Sequence, residues 1–291
     1  MNIGFQRKID RYIGAMICRF LSLFYRQSRD EDDGFQPKKF LVILLSEMGS
    51  LVLAYPMFQQ IKKRYPGAEL YGLLFDKNKE MLTLLDVTPQ KNILTIRDTT
   101  FGTFTTDCLR ALNQIRKLKI DVVIDCELFA RISSIVSFLS GARIRVGFHP
   151  HTQEGLYRGA FINRPVPFNP YHHISQQFLN LVSAIASVST PKVKQPARRN
   201  NLKAPAIEFT KSEIDAMQTR LRADFRAIDG KKLILIYPSG GILPIRAWPR
   251  HYYSQVAGEL IKKGYAVGIV GLATDHQLAA AILSDCNHPA C

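Results

Sequence analysis

Residues 39–56 read KFLVILLSEMGSLVLAYP. Phe40 to Leu45 form an unbroken apolar run, the pattern of a strand buried on both faces. A short polar link with Glu47, Gly49 and Ser50 follows. Beyond it MFQQIKKRYPGAEL carries apolar residues at helical spacing. Strand, glycine-bearing loop and helix make the unit from which parallel α/β sheets are assembled.

The alternation continues outward from this unit. AELYGLLF, NILTI, IDVVIDC and IRVGF read as strands. LVLAYPMFQQIKKRY, NKEMLTLLD, TTDCLRALNQIRKLK and LFARISSIVSFLSG read as the helices between them. The pattern predicts a parallel sheet covered on both faces, with ligands outside the carboxyl ends of its strands. Glu47, Gly49, Ser50, Asp125, Glu127 and His149 each follow a predicted strand and are expected to share that rim.

Residues 149–173, HPHTQEGLYRGAFINRPVPFNPYHH, show little periodicity, and HISQQFLNLVSAIASV then reads as a helix. The basic, proline-bearing stretch STPKVKQPARRNNLKAP suits an interdomain crossing, and SEIDAMQTRLRADF resumes a helix. A second strand–loop unit begins at KKLILIYPSGG, with RAWPRHYYSQVAGELIKKG as its helix. YAVGIVG and DHQLAAAILSDC supply one more strand and helix. The expected organisation is an amphipathic helix and linker (1–37), a Rossmann-like domain (38–190), a linker and helix (191–230), and a partial second Rossmann-like domain (231–291). Two strands make a thin sheet for an independent domain.

Of the 291 residues 46% are apolar, which excludes wholesale disorder. Lys and Arg number 39 against 24 Asp and Glu, for a net charge of +15. That excess attracts nucleotides, phosphorylated glycans, acidic membranes or nucleic acid without choosing among them. The five cysteines form no Cys-x-x-Cys pair. The expectation is a reducing compartment, no zinc site, and buried thiols at Cys108 and Cys126.

In FQRKIDRYIGAMICRFLSLFYR, residues Phe5, Ile9, Tyr12, Ile13, Met16, Ile17, Phe20 and Phe24 recur at helical spacing among Arg7, Lys8, Arg11, Arg19 and Arg26. The uncharged segment Tyr12–Cys18 is too short to span a bilayer. A basic amphipathic helix suits an anionic membrane surface, through residues 5–26. The alternative is a helix packed on its own domain or on a partner.

Four segments resemble the ADP-heptose:lipopolysaccharide heptosyltransferases, glycosyltransferase family 9. They are LVILLSEMGSLVLAYPMFQQIKKRYPGAEL, IDVVIDCELFARISSIVSFLSGARIRVGFH, LILIYPSGGILPIRAWPRHYYSQVAGELIKKGYAVGIVG and DHQLAAAILS, together spanning about residues 39 to 291. The resemblance implies a GT-B-like α/β fold of two Rossmann-like domains with parallel sheets, here with the second incomplete. It implies inverting, metal-independent transfer from a nucleotide-sugar such as ADP-heptose to a lipopolysaccharide core-type acceptor. The expected setting is cytoplasmic, peripheral to the inner membrane of a Gram-negative bacterium. No cofactor is expected, because the nucleotide-sugar is a substrate.

An inverting transfer needs a base near the acceptor hydroxyl and positive charge near the leaving diphosphate. In the family, the residue after the loop glycine is usually an Asp acting as base. Here it is Ser50, and Glu47 is the nearest carboxylate. Glu47 is therefore the candidate base, the alternative being a solvated acid or a helix cap. Gly49 suits a tight turn or close approach of the acceptor. Glu127, Arg131 and His149 complete the candidate acceptor site, although Glu127 and Arg131 stand one helical turn apart and could simply pair. Asp125 reads as structural, ending a strand and capping a helix. Ser239, Gly240 and Gly241 suit an anion at a helix start. Arg246 aligns with a basic family residue on the donor phosphates, the alternative being a surface arginine stacked on Trp248.

The family's late Asp-Ser/Thr-Gly-x-x-His element does not occur before Cys291. A rival reading is therefore a non-catalytic or truncated relative that binds glycan or a partner at the membrane. A nucleic-acid binder is weaker, since the basic residues are spread along the chain with no recognised motif.

Overall fold

The computed structural model describes residues 4, 8–25, 34–45, 47–149, 157–187, 204–241 and 244–291. The chain divides into two compact units, Met1–Ile207 and Glu208–Cys291. The division places the helix Lys211–Asp224 in the second unit, whereas the composition of 191–230 reads as linker and helix. Reciprocal hydrogen bonds between Thr210 and Glu213 start that helix.

Among its described residues the first unit holds six strands: β1 (Lys39–Ile43), β2 (Glu69–Phe75), β3 (Ile93–Ile96), β4 (Val122–Asp125), β5 (Ile144–Phe148) and β6 (Arg164–Val166). They form one sheet in the order β3-β2-β1-β4-β5-β6, with every pairing parallel. The quoted run lies at the centre as β1, and its side chains alternate between two cores. Phe40, Val42 and Leu44 pack with Met57, Phe58 and Ile61 of helix Tyr55–Arg64 and with Phe178 and Leu181 of helix Ile174–Ala184. Leu41, Ile43 and Leu45 pack with Ala111 and Ile115 of helix Phe101–Leu118. A strand with helices on both faces has no side to leave polar, which is why β1 shows no polar alternation.

Two predicted elements change. The helix expected over 51–65 is two helices, Met48–Leu53 and Tyr55–Arg64. Pro56 has no N–H to donate to the carbonyl of Val52, so the chain breaks at Ala54 and restarts with the proline in the first turn. Strand β6, inside the aperiodic stretch 149–173, is three residues long and contains Pro165. It sits at the sheet edge, where a proline leaves the ladder intact.

In the second unit β7 (Leu233–Ile236) pairs in parallel with β8 (Ala266–Ile269). Helices Arg250–Lys262 and His276–Cys286 accompany them. The buried apolar residues here are small or few: Ala257, Ala266, Val267, Ile282 and Ala290.

All five cysteines are free. Cys126 is buried, as expected, and burial pushes its thiol well up. Cys108 is only half-buried, with its pKa pushed up to about 12 by burial.

Candidate functional site

The chain reverses direction across the sheet at β1, since β2 and β3 lie on one side and β4, β5 and β6 on the other. A crevice outside the carboxyl ends forms at such a switch point. Glu47, Gly49 and Ser50 follow β1, Glu127 follows β4, and His149 follows β5. Asp125 is the last residue of β4 and stands opposite Ile43 of β1. The predicted rim residues therefore end or follow three adjacent strands.

The two loops at the switch point are fastened together. The Leu45 N–H donates to Glu127 Oε1 at 2.6 Å, and the Leu45 carbonyl accepts from Asn78 Nδ2 at 3.0 Å. Glu127 is buried, and its own N–H donates to Asp125 Oδ1 at 3.1 Å. Asp125 is fully buried. Its Oδ2 takes Arg158 Nη2 at 2.5 Å and Ser133 Oγ at 3.2 Å. Burial pushes the Asp125 carboxyl up, while the Arg158 guanidinium pulls it down; the net direction is upward. Arg158 also donates from Nε to the Ala130 carbonyl at 3.0 Å. Its Nη1 is buried without a hydrogen-bond partner among the described residues. Asp125 is structural, but it does not cap the following helix, Arg131–Leu139, whose cap position is Ala130.

Glu47 occupies the cap position of helix Met48–Leu53 in extended conformation. Its side chain accepts no backbone N–H there. Instead Glu47 Oε2 accepts from Ser50 Oγ at 2.9 Å, and the carboxylate is exposed. Of the two alternatives to a base, the helix cap is not found, while the exposed carboxylate fits the solvated acid.

Gly49 lies inside this helix, where helical φ is open to any residue, and nothing stands within 4 Å of a Cβ built on it. The tight-turn reason for a glycine is overturned, because the helix starts three residues before the apolar run that marked it. Gly49→Ala is expected to raise stability by about 0.4–1 kcal/mol in a urea titration.

Arg131 is buried and committed elsewhere. Its backbone N–H and Nη1 bind Asp10 Oδ1 and Oδ2 at 2.9 and 3.1 Å, and its Nε donates to the Tyr157 carbonyl at 2.8 Å. These contacts serve packing rather than the expected acceptor contact, and the helical-turn pairing with Glu127 gives way to an ion pair with Asp10. His149 is exposed, and its backbone N–H extends the β5–β6 ladder to the Val166 carbonyl at 2.9 Å. His173 Nδ1 caps its own helix by accepting from Ser175 N at 3.3 Å. His151 lies outside the described residues. Among the described residues no group of three or more His, Cys, Asp or Glu is placed to hold a metal.

In the second unit Ser239, Gly240 and Gly241 follow β7. Gly241 has φ +60°, and its N–H donates to Ser239 Oγ at 3.1 Å. Arg246 ends the short turn Pro244–Arg246 and is exposed. The ring of Trp248 stacks on Tyr253 at 5.7 Å and meets Tyr252 edge-on, and the described cation–π contacts do not include Arg246. The stacked-arginine alternative is therefore not what is found. Pro249 caps helix Arg250–Lys262 without a side-chain acceptor.

Three residues of this region escaped the sequence reading. Arg158 lies in the aperiodic stretch 149–173, and Asn78 only opens the predicted helix NKEMLTLLD, with nothing local to tie it to the β1 loop. Asp10 had a signal, as the single acid among the basic residues of its helix.

Two parallel α/β units in succession, each containing a strand, a glycine-bearing segment and a helix in that order, make this a GT-B-like protein. The sequence model of glycosyltransferase family 9 (heptosyltransferase) matches residues 108–290, and the chain belongs to that family. It is 21% identical over 244 residues to lipooligosaccharide heptosyltransferase 2 of Haemophilus ducreyi, a match covering 84% of this chain and 66% of that protein. Lipopolysaccharide heptosyltransferase 2 of Salmonella typhimurium is 22% identical over 251 residues, covering 86% and 68%. The chain thus spans about two thirds of the length of these relatives. Escherichia coli ADP-heptose LPS heptosyltransferase II shares the fold with a TM-score of 0.64 at 18% identity, over 84% of this chain and 68% of that one.

Proposed function

We propose that this protein is a glycosyltransferase that moves a sugar, heptose by its kinship, from ADP-heptose or a similar nucleotide-sugar to a lipopolysaccharide core-type acceptor. The observation that carries this reading is a family match running from helix Phe101–Leu118 of the first unit to residue 290 of the second. Two relatives named for lipooligosaccharide and lipopolysaccharide heptosyl transfer support the acceptor class. An E. coli heptosyltransferase of similar fold, TM-score 0.58, is described with ADP-2-deoxy-2-fluoro heptose, which supports the donor class. The setting we infer is the cytoplasmic face of the inner membrane of a Gram-negative bacterium.

In this reading the base is Glu47. Ser50 stands where the family usually has its Asp, and the Glu47 carboxylate lies 2.9 Å from the Ser50 hydroxyl. The loop thus presents a carboxylate beside position 50, from one helical turn earlier. Glu47 takes the acceptor hydroxyl proton as the acceptor oxygen bonds to the anomeric carbon. The bond from that carbon to the diphosphate breaks from the opposite side, so configuration inverts. Arg246, with the Ser239–Gly241 loop, meets the charge on the departing nucleoside diphosphate without a metal. Glu127 acts as a positioning residue by tying the β1 loop to the β4 loop through Leu45 N.

The second reading, a non-catalytic relative, is favoured by Ser50 itself. Calorimetric titration of the chain with ADP and ADP-heptose separates the two. Saturable heat, weakened about 10- to 100-fold by Arg246→Ala, is expected for a working donor site. Absence of heat with the wild-type chain would put the non-catalytic reading first.

A further inference from the structure

The N-terminal helix has two apolar faces, and the fold uses only one. Its described part runs from Lys8 through a π-helical turn, Asp10–Gly14, into helix Ala15–Leu23. The inner face carries Gly14, Ile17, Cys18, Leu21 and Tyr25. Cys18 packs with Ile135 of helix Arg131–Leu139 and with Phe161. A Cβ on Gly14 would stand 3.2 Å from Arg131 Cβ, so that approach is close. Polar contacts fix both ends. Asp10 holds Arg131, and Ser22 Oγ meets the Tyr157 hydroxyl at 2.9 Å and accepts from Ala160 N at 3.1 Å.

The outer face is a different surface. Tyr12, Met16, Phe20, Leu23 and Phe24 are 59–81% exposed, and Phe20 and Phe24 meet edge-to-face at 5.0 Å. Lys8, Arg11 and Arg19 are exposed beside them, with the Arg11 guanidinium 5.9 Å from the Tyr12 ring centre. The acid of this segment, Asp10, is turned inward onto Arg131. Among the described residues of the helix, the outward surface is therefore apolar and cationic with no acid on it.

We propose that this outer face is an interfacial anchor that lies flat in the headgroup layer of an anionic bilayer. Aromatic and aliphatic side chains entering the acyl boundary, flanked by basic residues at the phosphates, form the surface such a layer accepts. Among the described residues no helix is long and apolar enough to cross a membrane, so the helix lies on the bilayer. A second copy is a poor occupant, since it would bring the same three cations against these on a chain of net charge +15. The inner face is bolted to helix Arg131–Leu139, whose first residue follows the β4 carboxyl end closely. The anchor therefore holds the rim at a set distance from the lipid instead of tethering it loosely. This deepens the location proposed above and rests on it, but not on the donor chemistry.

The test is co-sedimentation of the full chain with vesicles of phosphatidylcholine alone and with roughly one part in three of phosphatidylglycerol. Binding is expected to the anionic vesicles and to weaken about 10- to 100-fold in Phe20→Glu/Leu23→Glu. Arg11→Glu/Arg19→Glu is expected to bring anionic binding down to the level of the neutral vesicles. Circular dichroism of both variants at the wild-type level shows that the helix remains. Equal binding by wild type and Phe20→Glu/Leu23→Glu overturns the proposal, as does no wild-type binding to either vesicle. Self-association in light scattering that is lost in Phe20→Glu/Leu23→Glu, without vesicle binding, assigns the face to a second copy and also overturns it. A chain that binds vesicles but not ADP-heptose leaves the anchor standing and removes the transfer reading.

Discussion

The Glu47→Gln protein is expected to transfer sugar about 100- to 10,000-fold more slowly than wild type, with donor binding unchanged. The amide keeps the shape of the carboxylate and an acceptor oxygen for the Ser50 hydroxyl, so the 2.9 Å contact and the loop survive. What it lacks is a site for the acceptor proton. The assignment rests on adjacency of residues 47 and 50, so a second substitution sharpens it. Adding Ser50→Asp to Glu47→Gln restores the residue type usual in the family, and a partial return of rate is expected. A Glu47→Gln enzyme with full rate would remove Glu47 as base. Restored rate in the double variant would show that a carboxylate is needed on this helix turn.

The second large effect is on stability. Arg158→Met is expected to cost about 3–5 kcal/mol at neutral pH, read from the urea midpoint. Both partners of the Asp125–Arg158 pair are buried, at 0% and 1% exposure. Without the guanidinium, Asp125 keeps Ser133 Oγ and the Glu127 N–H as donors, and its charge is uncompensated. Its carboxyl already lies above its ordinary value through burial, and loss of Arg158 moves it further up. A carboxyl raised in the folded state favours folding when protonated, and that contribution is lost as pH rises through the folded value. The deficit of Arg158→Met is therefore expected to shrink in acid and grow toward neutrality. Asp125→Leu/Arg158→Met, which removes both charges, is expected to lose far less than the single variant. Equal losses in the two would mean that packing by the arginine stem, not the ion pair, is what matters.

These residues show how unevenly the molecule can be read from its chain. The strand Lys39–Ile43 is legible because burial on two faces writes an apolar run with no polar break. Strand β6 is illegible because three residues with a proline carry no period and become a strand only by lying along β5. The rim is legible as a set, since each member ends or follows a strand and parallel sheets gather carboxyl ends on one side.

Individual roles within the rim are less so. Glu127 and Arg131 stand one helical turn apart in sequence, and local spacing offers them to each other. The fold sends Glu127 to the Leu45 amide and Arg131 to Asp10, 121 residues away. Spacing reports neighbours along a helix and is silent about which distant segment packs against it.

The N-terminal helix makes the same division within one element. Its sequence determined that it is helical, basic and rich in apolar residues, because these are local properties of side chains and their spacing. The alternation of strand and helix patterns likewise determined a parallel α/β chain. Only the tertiary structure decided which apolar residues of the helix face helix Arg131–Leu139 and which face outward, and which carboxylates of the rim are spent on packing. A period of 3.6 residues states that a face exists, but the free energy of burying it depends on a partner surface that the chain reaches only by folding.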